Sequence, residues 1–135
     1  MQTYCVDKQV SDSAATATAY LTGVKGNYQT IGVSGKVQVV DCESAKLSAN
    51  RASSIAKWAQ DAGKATGVVT TARVTHASPA GVYAHVPYRG MESDGDNKNL
   101  ELDLKSCNFD IAKQLVFEEP GKNLNVRNYG ICRFF

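Results

Sequence analysis

The side chains able to do chemistry fall into two short segments of this chain. Asp12-Ser13 opens an alanine-rich run that extends to Leu21, and Arg73, His76, Ser78, His85 and Arg89 follow one another closely further on. A serine at a helix start meets unpaired backbone N–H groups and the positive end of the helix dipole, so it can hold an alkoxide or a bound phosphate. An Asp-Ser pair at that position is equally an ordinary helix cap. His76 and His85 are nine residues apart and lack the i, i+4 spacing by which one helical turn presents two metal ligands. A hydrogen-bonded structural role is the plainer expectation for each. Arg73 and Arg89 offer planar forks that suit the oxygens of a phosphate, or those of a neighbouring carboxylate.

Two other enzyme signatures are excluded by single positions. Gly32-Val33-Ser34-Gly35-Lys36 suggests a nucleotide-binding loop, but that loop needs glycine where Thr30 stands and serine or threonine where Val37 stands. A Ser-His-Asp hydrolase needs a Gly-x-Ser-x-Gly elbow, whereas Ser13 sits between Ser11-Asp12 and Ala14-Ala15.

The elements that must position these residues alternate between helical and strand-like patterns. Asp12 is the expected cap of a helix over 13–21 that Gly23 closes. Strands are expected over Thr30–Ser34, Lys36–Val40, Ala65–Thr71 and from Leu124 to Val126. Ser48 is the expected cap of a helix reaching Ala62, with Ala49, Ala52, Ile55, Ala56 and Ala59 on one face. Ser78-Pro79 reads as a cap and first helical position of a short helix toward His85. Tyr88–Lys105 reads as surface loop. Asn108–Phe117 reads as a helix burying Ile111, Ala112, Leu115 and Val116. This order implies an α/β fold with helices on a mostly parallel sheet, in which chemistry gathers at the carboxyl ends of strands.

Composition narrows the class. The 135 residues carry a formal charge of +2, with 43% apolar and 21% charged residues, as in ordinary globular domains. The lysines are spread with acids between them, so nucleic-acid binding is not expected. No apolar run approaches the ~20 residues of a membrane span, and neither a signal peptide nor a lipid-anchor signal is visible. Cys5, Cys42, Cys107 and Cys132 show no C-x-x-C spacing, and from spacing alone disulfides and buried thiols are equally open.

The run Val10-Ser11-Asp12-Ser13-Ala14-Ala15-Thr16-Ala17-Thr18-Ala19-Tyr20-Leu21-Thr22-Gly23-Val24-Lys25 closely resembles the active-site segment of animal alkaline phosphatases, of the insect-like, membrane-bound type. The resemblance continues through Ser34, resumes over 58–64 and again from Gly67 through His85, and covers most of residues 2–126. It implies a partial three-layer αβα sandwich over residues 1–126. It also implies hydrolysis of phosphate monoesters through a phosphoserine, with two zinc ions and one magnesium. By position, Ser13 matches the nucleophile and a zinc ligand, Ser78 a magnesium ligand, Arg89 the arginine that grips the phosphate, and Asp12 and His76 residues beside the metals. Pro87-Tyr88-Arg89-Gly90 departs from the family's usual neighbourhood. Cys42 and Cys107 match a disulfide pair, while Cys5 and Cys132 match none and are expected as free thiols or, failing that, an accidental second pair. The family further implies an extracellular, membrane-anchored homodimer.

The resemblance also marks what the chain lacks. Neither histidine matches a zinc ligand, and the family's upstream aspartate and downstream Asp-His clusters have no counterpart here. Residues 127–135 depart from the family and read as a frameshift or truncation. The chain alone is therefore expected to be an inactive fragment; the alternative is a non-catalytic surface or binding module on the same fold.

Overall fold

The computed structural model describes residues 3–99, 104 and 107–129. In chain order the elements are α1 (Ser13–Thr22), α2 (Cys42–Lys46), α3 (Ile55–Asp61), β1 (Gly67–Thr70), α4 (Ala77–Ala80), α5 (Asp94–Asn99), α6 (Ile111–Phe117) and β2 (Val126–Tyr129). Single 3₁₀ turns lie at Ser48–Asn50 and Gly121–Asn123. The two strands pair in parallel, Gly67 opposite Val126 and Thr70 opposite Tyr129. The α/β character expected from the sequence is present, with helices outweighing a small sheet.

Helix α1 forms where expected. Asp12 is its N-cap and Gly23, at φ 75°, supplies the left-handed residue that ends it. Its inner face is made of small residues, Ala14, Ala15 and Ala17, with Thr18 buried among them. That hydroxyl is fully used: Thr18 Oγ1 donates to Ala14 O at 3.0 Å and accepts the Gly32 N–H at 2.9 Å.

The strand expected over Thr30–Ser34 is absent, and the reason is Gly32. Its φ of +64° turns the chain, and a Cβ there would lie 2.0 Å from Ala84 O. Neighbouring residues consequently face different partners, Ile31 bridging Val86 and Val33 bridging Arg51. Lys36–Val40 is likewise not a strand. Asn27 Nδ2 donates to the carbonyls of Gly35 and Val37 and holds the segment in turns that bury Val37.

The helix expected from Ser48 to Ala62 breaks into a 3₁₀ turn, an extended piece through Ala52 and the shorter α3 capped by Ser54. Ser54 Oγ donates to Val82 O at 2.6 Å and accepts the Lys57 N–H, so the cap is also a tertiary tie. In α3 only Ala56 is buried, and Ile55 and Trp58 face outward. Helix α4 begins at Ala77, one residue before the expected cap, and stops at Ala80. Tyr88–Lys105, expected as loop, contains α5 and buries Met91 and Leu104. In α6 the buried residues are Ile111, Gln114 and Leu115, whereas Ala112 is only partly buried and Val116 is half exposed. Strand β1 is parallel as expected, but only Val68 turns inward while Val69 is 75% exposed.

One apolar core joins these pieces, with Ile31, Val33, Val37, Tyr83, Val86, Met91 and Ile111 at its centre. Cys42 and Cys107 form the disulfide implied by the family resemblance, their Cα atoms 5.2 Å apart across 65 residues. Cys5 is a buried free thiol, and Cys132 lies outside the described residues. The backbone of His85 is clamped by the Gln114 amide, which accepts its N–H at 2.8 Å and donates to its carbonyl at 3.1 Å. The His85 ring Nε2 lies 3.2 Å from Ala52 O. His85 is thus held as a structural residue.

Two stability measurements follow. Replacing Cys42 and Cys107 by serine frees a 65-residue loop and is expected to lower the unfolding free energy by about 4 kcal/mol, read from the urea midpoint. Burial, reinforced by the charge of Arg51, lowers the His85 pKa to about 4 from its ordinary 6.5. The unfolded chain therefore takes up that proton first. The stability from neutral His85 is complete above pH 6.5 and is lost as pH falls toward 4, by about 3 kcal/mol. His85→Gln is expected to flatten that part of the pH–stability curve.

Candidate active site

The site is built on the N-terminus of α1. Asp12 leaves the helix in extended backbone geometry and its carboxylate divides between three donors. Oδ1 accepts the Ala15 N–H at 3.1 Å and the Gln29 N–H at 3.2 Å, and Oδ2 accepts Arg89 Nη1 at 3.1 Å. The Asp12 side chain is 9% exposed and that of Arg89 26%, so the pair is half withdrawn from water. Such a charge-assisted bond holds its partners more firmly than a surface ion pair. Ser13 follows directly as the first residue of α1, half-buried, and its hydroxyl bonds to no other described residue.

Arg89 reaches Asp12 because its own backbone is fixed. The Arg89 N–H donates to Gln29 O at 2.8 Å, just beyond the Ile31–Val86 bridge. Pro87 O accepts the Val40 N–H, and the Tyr88 ring packs on the core. The second guanidinium nitrogen, Nη2, stands 3.3 Å from His76 Nε2. A guanidinium only donates, so this contact requires the imidazole to present Nε2 without its proton. Asp12, Ser13, Arg89 and His76 are therefore brought together from two distant stretches of chain.

Ser78 is not in this cluster. It is exposed and lines a groove of about 190 Å³ with Tyr20, Leu21, Val68, Val69, Thr70, Pro79 and Val82. Arg73 pairs with Glu92. Two contributors escaped the sequence reading. Gln29 touches both Asp12 and Arg89 through its backbone, at φ 66°, and no spacing rule flags such a residue. Glu92 lies in the polar stretch that reads as surface loop, and its only sequence signal is its place three residues after Arg89.

Residues 1–126 match the family model of alkaline phosphatase. The chain belongs to the alkaline phosphatase family. It is 49% identical over 125 residues to a membrane-bound alkaline phosphatase of Bombyx mori, an alignment covering 93% of this chain and 22% of that protein. It is 46% identical over 129 residues to alkaline phosphatase 4 of Drosophila melanogaster, covering 93% and 20%. The alkaline phosphatase of the Antarctic bacterium TAB5 superposes with a TM-score of 0.58 at 33% identity, over 76% of this chain and 27% of that one. This chain thus spans about a fifth of the length of the insect alkaline phosphatases it matches.

The described residues do not by themselves form a site for the metal ions that the family implies. Among the described residues no group of three or more His, Cys, Asp or Glu side chains is arranged to hold an ion. Asp12, the carboxylate beside Ser13, already has both oxygens engaged.

Asp12→Ala removes the α1 cap and leaves Arg89 half-buried without its counter-charge. The expected loss of stability is about 2 kcal/mol by urea denaturation. Asp12→Asn keeps an acceptor for the Ala15 N–H and is expected to cost less.

Proposed function

We propose that this chain is the nucleophile-bearing portion of a phosphate-monoester hydrolase. The observation that carries the reading is the Arg89 fork seated on Asp12, the residue directly ahead of Ser13 at the α1 N-terminus. In this reading Ser13 Oγ attacks phosphorus, the new Oγ–P bond forming as the bond to the leaving alcohol oxygen breaks. The serine proton is released to solvent, and water then hydrolyses the phosphoserine to inorganic phosphate. Arg89, Asp12 and the first N–H groups of α1 supply what this chain contributes. The guanidinium meets the non-bridging oxygens, the carboxylate keeps it aimed, and the helix start favours the negative charge that builds there.

The rest of the reading concerns the complete protein. Zinc and magnesium, with Ser13 and Ser78 among their ligands, need donors beyond those the described residues bring together. A TAB5 alkaline phosphatase variant solved with magnesium bound supports a metal-dependent activity. The exposure of Val69 on a parallel strand supports a further helical layer over that face of β1, and with it the three-layer αβα sandwich over residues 1–126. The family model's match over those residues supports the same boundary. The membrane-bound Bombyx mori relative supports a membrane-anchored protein; that it is an extracellular homodimer rests on the family resemblance alone. No helix among the described residues is long and apolar enough to cross a membrane.

The test has two arms. The 135-residue chain, assayed on a chromogenic phosphate monoester at alkaline pH with zinc and magnesium, is expected to show no turnover above its Ser13→Ala variant. Residues 1–126 placed in the corresponding segment of the Bombyx mori enzyme are expected to give turnover. Ser13→Ala should abolish it, and Arg89→Ala should lower kcat/KM by about 10²–10³. An active chimera indifferent to Ser13→Ala would overturn the reading.

A further inference from the structure

Glu92 makes more of its carboxylate than a surface acid does, and the alkaline phosphatase reading gives it no task. Its Oε1 accepts Arg73 Nη2 at 2.5 Å, and its Oε2 accepts Arg73 Nε at 2.9 Å and Thr75 Oγ1 at 2.6 Å. The Glu92 side chain is 18% exposed. This is a two-point fork joined by a hydroxyl, the geometry that sets strong carboxylate pairs apart from incidental ones. The hydrogen bonds from Arg73, opposed by burial and helped by Thr75, lower its pKa from the ordinary glutamate value.

What Glu92 joins gives the clamp its meaning. Its backbone carbonyl accepts the Ala112 N–H, and that of Met91 accepts the Ile111 N–H, so 91–92 is anchored on the start of α6. Arg73 and Thr75 belong to a turn closed by the His76 N–H on Arg73 O at 2.9 Å. That turn delivers the His76 ring to Arg89 Nη2, on the nitrogen that Asp12 does not use. Two cross-links, Glu92 to Arg73 and Thr75 and Arg89 to His76, therefore tie the 73–76 turn to the 89–92 segment.

We propose that Glu92 is a positioning residue for Arg89: by fixing the 73–76 turn through Arg73 and Thr75, it sets His76 against the guanidinium and holds the fork toward the Ser13 end of α1. The proposal rests on the reading of Arg89 as the phosphate clamp. Glu92 touches neither Arg89 nor Ser13 in any described hydrogen bond or ion pair, so its effect passes through the turn.

The experiment follows the Arg89 Nε–Hε signal of the ¹⁵N-labelled 135-residue chain, assigned with Arg89→Lys, with and without inorganic phosphate. Glu92→Gln is expected to speed solvent exchange of that proton by about tenfold, the loss of one charge-assisted tie, and to move it toward the free-arginine position. The amide signals of α1 and α6 should hold their places, which a merely structural role would not allow. An unmoved Arg89 signal in folded Glu92→Gln overturns the proposal. Should that variant fail to fold, Arg73→Gln is read the same way, since it strips the carboxylate of both guanidinium bonds from the more exposed partner. The phosphate arm reports on the other reading. A parent Arg89 signal indifferent to phosphate counts against Arg89 as the clamp, while its response to Glu92→Gln still decides the positioning role.

Discussion

Within the described structure, the Asp12 carboxylate is where distant parts of the chain meet. One oxygen closes the first turn of α1 and also takes the Gln29 N–H, while the other takes Arg89 from seventy-seven residues away. These demands are compatible because the residue is a helix cap. Its side chain must fold back over the helix start to reach Ala15, which turns the remaining lone pairs toward the loops that pass there. A capping serine would satisfy α1 equally well but could not hold a guanidinium. The charge at this position thus links a local helix signal to a long-range one.

Packing around α1 serves the same end. Its inner face is small, so the 30–33 segment approaches closely enough for Thr18 to receive the Gly32 N–H. From there Ile31 bridges Val86, and the short chain to Arg89 brings its backbone beside Gln29, from which Asp12 and His76 orient the guanidinium. Buried polar groups carry much of this alignment. Thr18, Asn27 and Gln114 are all fully buried and each bonds to backbone, which fixes loops that an apolar core would leave free to slide.

The exposed side of the molecule has a different character. Val69, Trp58, Ile55 and Phe117 lie at or above half exposure, and β1 pairs with β2 along one edge only among the described strands. Parallel strands ordinarily have both faces covered. The apolar surface is consistent with a chain that spans a fifth of the length of its relatives. The site faces the same condition. Arg89 is set by contacts within this chain and Ser13 by its place as the first residue of α1, whereas Ser78 lines an open groove with mostly apolar neighbours.

The sequence by itself determined the family, α1 with both its caps, the Cys42–Cys107 bridge through the resemblance, and the pairing of strand with helix. Those features rest on local chemistry or on a long match: a carboxylate at a cap, a glycine at a positive φ, an active-site run read in order. Tertiary structure alone decided the rest. The Thr30–Ser34 and Lys36–Val40 patterns look like strands because their apolar residues alternate, yet Gly32 and the Asn27 amide send them into turns, and neither effect shows in periodicity. Gln114 displaced Val116 from the core because the His85 backbone needed two partners that only an amide supplies. Glu92 looked like one more acid in a polar loop, since a side chain's partner across the fold has no signature in its own neighbours. Local signals report what a residue does for its own turn of chain; which distant group it meets is set by how the turns pack.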